Sequence, residues 1–312
     1  ARLIMLSAFT GAKTVVSVGT RTNGYISAPY TWDQDNNGFF ETVYVGTAHD
    51  AGGSLWRITN LSASPSPRQI FSTQAGQKIT AAPVVAKNPS TGDVWTFFGT
   101  GQYLNLVDLA DTTKQSWYGI IDDWKNSGQQ PDVSLSNLVK RSIIAEGTVG
   151  NFAVRAISAA ADRDMNNKKG WYIDLMPPSS SSSIGERMVV PNIIQGRTLI
   201  GTTRIPDATD PCDLTGSGFV MAIDPFTGAA LPRTFFDLNG DRLFTQADMM
   251  MVNGKLTIVS GIGFKASPNS PIFIENAMQV SLDDASKKTV STQGGSATPG
   301  RTAWREIRRL GE

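Results

Sequence analysis

The sequence predicts an all-β fold built from small antiparallel units repeated along the chain, and three observations predict it. Short β-branched and aromatic runs recur at residues 14–18, 42–45, 94–98, 188–194, 198–202, 219–223 and 256–262, each ending in Gly, Asn, Asp or Ser. That is the pattern of strands joined by turns. Proline marks strand entry at a regular interval, with Pro29 and Pro83 54 residues apart and Pro83 and Pro191 108 apart. The tetrapeptide Phe9-Thr10-Gly11-Ala12 returns as Phe226-Thr227-Gly228-Ala229 after 217 residues, close to four of the shorter intervals. Four-stranded blades of about 40 to 55 residues repeat in this way in β-propellers.

Each element follows from local chemistry. The opening Ala-Arg-Leu-Ile-Met-Leu-Ser reads as the middle of a strand, so the chain is expected to begin inside a longer protein. Gly46-Thr47, Gly99-Thr100-Gly101 and Gly201-Thr202 are expected to close strands at comparable points of successive units. Trp56, Trp117, Tyr118, Trp171 and Phe219 are expected to pack between neighbouring blades. Residues 63–68 and the serine run 179–183 read as exposed loops. Helical signal is scarce, and its best instance is a short turn after Thr245.

The nine residues from Asp33 to Glu41 place oxygen side chains at alternate positions with a glycine after the fifth. A calcium ion takes about six to eight oxygens, and a tight loop supplies them from positions 1, 3, 5 and 9 with a backbone carbonyl at position 7. Asp33, Asp35, Asn37 and Glu41 are the candidate side-chain ligands and Phe39 the candidate carbonyl donor. Gly38 permits the positive φ at which the chain curls back. The competing reading is a polar hairpin turn, for which Asn37-Gly38 between apolar runs is itself a signal.

A second candidate spans Asp237 to Asp248, with Asp237, Asn239, Asp241 and Asp248 at positions 1, 3, 5 and 12 of an EF-hand-like scheme and Leu243 as carbonyl donor. Arg242 stands at position 6, where such a loop requires glycine, and Gly240 sits two places early. Its cation opposes a divalent ion, so a salt-bridged turn is the alternative.

Composition excludes several classes. With 28 basic and 27 acidic residues the net charge is +1, which draws the chain to neither nucleic acid nor an anionic membrane. No apolar run reaches the about 18 residues of a membrane helix. Catalytic constellations are missing as well. His49 reads as a polar turn residue, the glycines around Thr100 lack a phosphate loop's Lys-Ser/Thr ending, and Cys212 lies between Asp210 and Asp213, which raise its thiol pKa.

A set of motifs in order carries a resemblance: the Asp33–Glu41 loop followed by Val43-Tyr44-Val45-Gly46, then Gly53-Ser54-Leu55-Trp56-Arg57, Phe97-Phe98-Gly99-Thr100-Gly101-Gln102-Tyr103-Leu104, Trp117-Tyr118-Gly119-Ile120, Gly185-Glu186-Arg187, Asp210-Pro211-Cys212 and Trp304-Arg305-Glu306. The chain resembles the C-terminal propeller domain of the PilY family, called PilC in some bacteria, of type IV pilus tip and biogenesis proteins. The resemblance implies a modified β-propeller with quinoprotein-like blades, occupying residues 1–312 of a secreted protein and incomplete where upstream sequence supplies strands. It implies Ca2+ at Asp33, Asp35, Asn37, Phe39 and Glu41, with Glu41 where the family usually has Asp. It further implies a role in pilus assembly, extension against retraction, twitching motility and attachment at the cell surface or pilus tip. Minor pilins are the implied partners, with host-surface molecules as further ones, and a second loop known in some members matches residues 237–248. No enzymatic activity is implied, and there is no Arg-Gly-Asp tripeptide. The alternatives are a quinoprotein (PQQ) dehydrogenase, against which the lack of a vicinal cysteine pair counts, and a glycan-binding propeller.

Overall fold

The computed structural model describes residues 1–19, 24–35, 37–49, 51–62, 64–122, 133–207 and 216–294. Asn36, Asp50, Ala63 and the segments around Cys212 and Trp304 therefore lie outside the described residues. Within them the chain forms six sheets and three one-turn 3-10 helices, at Leu106–Ala110, Leu135–Asn137 and Gln246–Asp248.

The first sheet is a hairpin of β1 (Arg2–Leu6) and β2 (Lys13–Ser17). The second joins β3 (Tyr25–Ile26), β4 (Tyr30–Trp32), β5 (Thr42–His49), β6 (Gly52–Thr59) and β7 (Ser66–Ser72), with both β3 and β4 on the edge of β5. The third contains β8 (Val84–Lys87), β9 (Val94–Gly99), β10 (Ser116–Asp122), β11 (Val139–Arg141) and β14 (Gly170–Asp174) in the order β11-β14-β10-β9-β8. The fourth contains β12 (Ile143–Val149), β13 (Phe152–Ile157), β15 (Ile193–Gln195), β16 (Thr198–Thr202), β17 (Gly218–Ile223) and β20 (Gly261–Phe264) in the order β12-β13-β20-β17-β16-β15. A hairpin of β18 (Met249–Val252) and β19 (Lys255–Ile258) and a three-stranded sheet of β21 (Ile272–Ile274), β22 (Ala277–Ser281) and β23 (Lys287–Ser291) complete the set. All pairings between these strands are antiparallel except β11 with β14, and an isolated bridge joins Phe71 of β7 to Val133 in parallel.

Side chains on a strand alternate between its two faces, and here both faces are buried in the central sheets. Val43 and Val45 pack toward the first hairpin, whereas Tyr44 packs toward the third sheet. Phe97, Trp117 and Trp171 face the fourth sheet, and their neighbours Phe98, Tyr118 and Tyr172 face the second. Leu199, Met221 and Ile223 return the contact, while Ile200, Val220 and Ala222 face Met278, Val280 and Val290 beyond. Sheets consecutive in the chain thus stack face to face, which is why these strands read as continuous apolar runs rather than alternating ones.

The aromatic residues expected between blades do bridge sheets. The Trp171 indole N–H donates to the Pro225 carbonyl at 2.8 Å, and Trp117 Nε1 donates to Asn192 Oδ1 at 2.5 Å. The threonine-glycine repeat is a real structural unit: Ser7 to Ala12 and Asp224 to Ala229 close with the same bonds, residue 1 N–H to residue 6 carbonyl at 2.9 and 3.0 Å and the glycine N–H to the residue 1 carbonyl at 2.9 Å in both. Asn88 to Asp93 forms a third copy, with the corresponding bonds both at 2.8 Å. Its glycine, Gly92, has φ 78°.

Several expectations need correction. Residues 188–194 are not one strand: Pro191 has no N–H to offer a ladder, Met188 is buried across Gly99 and Gly201, and only Ile193–Gln195 pairs. The run 256–262 is interrupted at Val259 and Ser260, which separate β19 from β20. Ser66 to Arg68 belong to β7 rather than to a loop, and Pro67 is tolerated there because β7 is a sheet edge. Gly46 and Gly201 lie inside β5 and β16, and Gly99 ends β9. Their common property is close approach, since a Cβ would meet Ile79 at 2.1 Å from Gly46 and Met188 at 2.2 Å from Gly99 and 2.5 Å from Gly201. The turn after Thr245 forms as Gln246–Asp248, but the following methionines enter β18.

Charge is also buried. Arg155 on β13, fully inaccessible, donates to Glu186 at 2.6 and 3.0 Å and to Glu146 at 2.6 Å, and its guanidinium lies 3.5 Å from the centroid of the Phe219 ring.

Candidate metal centre

Antiparallel pairing builds the first loop. Tyr30 to Trp32 pair with Tyr44 to Thr42, so Asp33 leaves β4 close to where Glu41 enters β5. A nine-residue excursion therefore starts and ends at neighbouring points, which brings the first and last acids together.

Inside the loop, side-chain oxygens satisfy backbone donors that have no strand partner. Asp33 accepts the N–H groups of Asn37 at 3.2 Å and Gly38 at 2.8 Å, Asp35 accepts that of Asn37 at 3.1 Å, and Asn37 Oδ1 accepts that of Phe39 at 2.8 Å. The Asn37 amide donates to Asp35 at 2.9 Å, and the Glu41 carboxylate accepts the Gln34 N–H at 2.9 Å. These bonds turn the oxygens of alternate residues inward. Gly38 has φ 91°, a backbone that a side chain would strain.

Asp33, Asp35 and Glu41 each place a carboxylate oxygen so that all lie within 4.8 Å of one another, the one such grouping of three among the described residues. The three carboxylates offer hard oxygen donors of the kind a calcium ion takes, without the nitrogen or sulfur donors that zinc prefers. The side chains of Phe39 and Phe40 are exposed.

The second loop is laid out similarly, yet it does not gather its acids. Asp237 accepts from Gly240 at 2.7 Å and Arg242 at 2.9 Å, Asn239 from Asp241 at 3.0 Å, and Asp241 from Leu243 at 2.7 Å. Asp248 is fully buried and accepts the N–H groups of Leu238 at 2.7 Å and Thr245 at 3.0 Å, the latter as part of a capping box. Asp237, Asp241 and Asp248 are not among the three-carboxylate groupings. Arg242, at the position that wants glycine, adopts φ 63°.

Elsewhere the sequence motifs prove to be packing devices. The Thr100 hydroxyl accepts the Ser116 N–H at 2.9 Å, and the Thr100 N–H and hydroxyl donate to the Ser116 carbonyl at 3.0 and 3.2 Å, so Thr100 ties the end of β9 to the start of β10. His49 ends β5 opposite Gly52. Arg187 is buried and donates to the carbonyls of Gly185, Gln102, Asp108 and Asp111, pinning the loop of Leu106–Ala110. Burial pushes its pKa down. Nothing in the sequence reveals that role beyond an adjacent Glu-Arg pair after glycine.

No protein-family model matches the sequence. A type IV pilus biogenesis factor PilY1 homolog of Xylella fastidiosa is 40% identical over 313 residues, covering 99% of this chain and 24% of that protein. The type IV pilus biogenesis factor PilY1 of Pseudomonas aeruginosa is 26% identical over 359 residues, covering 98% of this chain and 30% of that protein. The chain thus spans less than a third of the length of these relatives. The crystal structure of the Pseudomonas aeruginosa PilY1 C-terminal domain superposes with a TM-score of 0.74 at 22% identity, over 93% of this chain and 66% of that one. That likeness concerns the fold, and it makes the stacked sheets blades of a β-propeller, with no closed sheet among the described residues. The chain belongs to the family of PilY1 type IV pilus biogenesis factors and corresponds to their C-terminal propeller domain.

Proposed function

We propose that residues 1–312 form a calcium-binding, non-enzymatic propeller domain of a type IV pilus biogenesis factor, acting outside the cell at the pilus tip. The observation that carries this reading is the convergence of Asp33, Asp35 and Glu41 within 4.8 Å on a loop whose two ends are clamped by β4 and β5. Three carboxylates so close repel one another, and a divalent cation relieves that repulsion. Asp33, Asp35, Asn37, Phe39 and Glu41 hold the ion in this reading. One ion per chain is the proposed stoichiometry, because Asp33, Asp35 and Glu41 are the one grouping of three acids within 4.8 Å among the described residues.

The relatives are named as type IV pilus biogenesis factors, and the role proposed here is support of pilus assembly, of extension against retraction and hence of twitching motility and surface attachment. Minor pilins, and host-surface molecules during attachment, are the proposed partners. The metal's part is to order the loop and the exposed Phe39 and Phe40 beside it, with no chemical step.

Calorimetric titration with calcium tests the reading. The wild-type chain is expected to take up one ion, Asp33→Ala none, and cells whose longer protein carries Asp33→Ala to make fewer pili. Absence of calcium uptake by the wild type, or equal uptake by the variant, overturns it.

A further inference from the structure

A groove of about 800 Å³ runs between the β18–β19 hairpin and the ends of the fourth sheet, walled by Ile144, Ile157, Leu231, Val252, Leu256 and Ile258. All four residues of β19 line it. That strand pairs only with β18, so its other edge carries main-chain donors and acceptors without a strand partner among the described residues. An apolar trough along an open strand edge is the geometry that receives an extended segment as an added strand.

One end of the trough is cationic. It shares Asp224, Leu231 and Pro232 with a second cavity of about 530 Å³, which presents Arg197 and Arg233. Both arginines are exposed, and neither has an ion-pair or hydrogen-bond partner among the described residues. Lys255 on β19 adds a third positive charge at the groove. The single acid there, Asp224, already accepts from Phe226 N–H, Thr227 N–H and the Thr227 hydroxyl at 2.9, 2.9 and 3.0 Å. Gln293 adds a buried side-chain oxygen with no donor among the described residues, lining the same cavity.

We infer that this groove docks an extended acidic segment of a protein partner, which pairs with the free edge of β19, lays alternate apolar side chains against Leu231 and Leu256, and sets a carboxylate between Arg197 and Arg233. Charge decides the occupant. The chain's own residues 295–312 hold four arginines against two glutamates, so they carry the same sign as the mouth of the groove and are disfavoured there. The inference uses none of the calcium-loop residues and stands apart from the metal assignment.

Panning a random ten-residue peptide library displayed on phage against the 312-residue chain tests it. Enriched sequences are expected to alternate apolar residues with Asp or Glu. A synthetic peptide from that pool is expected to lose at least about tenfold in affinity on Arg197→Glu with Arg233→Glu and on Leu231→Asp, and several-fold on the milder Arg197→Gln with Arg233→Gln. The arginine variants are expected to keep the wild-type melting temperature, since they break no contact. No enrichment, enrichment of basic or charge-free sequences, or affinity insensitive to the arginine variants each overturns the inference.

Discussion

Gly11 and Gly228 share the same left-handed backbone, with φ of 67° and 68°, yet only Gly228 lies under an indole. They occupy equivalent positions in two copies of one turn. A Cβ on Gly11 meets nothing within 4 Å, whereas one on Gly228 sits 2.3 Å from Trp171 Cδ2. Gly11→Ala should therefore cost only the left-handed strain, about 1 kcal/mol. Gly228→Ala should cost about 1 to 3 kcal/mol more, because Trp171 is fully buried and tethered to Pro225 and cannot retreat. Denaturant unfolding of the two variants measures the difference, and equal costs would refute the packing account.

The two acidic loops should respond differently to calcium. Glu41→Gln keeps an acceptor for the Gln34 N–H but removes a charge from the cluster, so calcium affinity should fall at least about tenfold with little change in metal-free stability. Asp248→Ala should instead orphan the N–H groups of Leu238 and Thr245, costing about 1 to 3 kcal/mol for each that stays dry. Its loss should be the same with and without calcium. Melting temperatures of both variants in chelator and in excess calcium check this. For the wild type, a free concentration a hundredfold above Kd should add about 2.7 kcal/mol.

Removing one member of the buried ion pair should be severe. Arg155→Met leaves Glu186 without compensation at a site closed to water, an effect of about 3 to 5 kcal/mol. Arg155→Met combined with Glu186→Met should recover most of that loss, since burying two charges was itself costly. A double-mutant cycle in urea reads the coupling, and additive losses would show that the pair is not the source.

Asp174 predicts a pH dependence. Burial pushes its carboxyl up, but the Ser116 hydroxyl at 2.8 Å, Lys140 at 3.1 Å and Lys114 at 3.3 Å outweigh that and hold it below the ordinary carboxylate value. A depressed folded-state pKa gives stability that is present above the unfolded value and lost as pH falls through the folded one. Wild-type stability should thus decline below about pH 4, and Asp174→Asn should flatten that decline while lowering stability at neutral pH. Because both lysines are partly exposed, added salt should narrow the gap. Melting curves from acid to neutral pH in low and high salt provide the check.

Local chemistry was legible in the sequence. Oxygens at alternate positions around Gly38 foretold a loop that turns its acids inward, and the strand-turn rhythm with the Thr-Gly repeat foretold serial β-units, because turns and strand runs are set by neighbours in the chain. The third copy of that turn, at Asn88 to Asp93, shares Thr91-Gly92 with both others but lacks their Phe and Ala, so its likeness shows mainly in the bonds it closes, including an Asx side chain that accepts the residue 3 N–H as Asp224 does. What only the tertiary structure decided is what depends on distant partners. Met188 looks like a strand residue until Gly99 and Gly201 are seen to make room for it, and two loops of similar spacing differ in that Asp33, Asp35 and Glu41 converge within 4.8 Å whereas Asp248 is buried against the N–H groups of Leu238 and Thr245. Residue type sets what a side chain is able to bond or bury; the stacking of one sheet on the next determines which partner it meets.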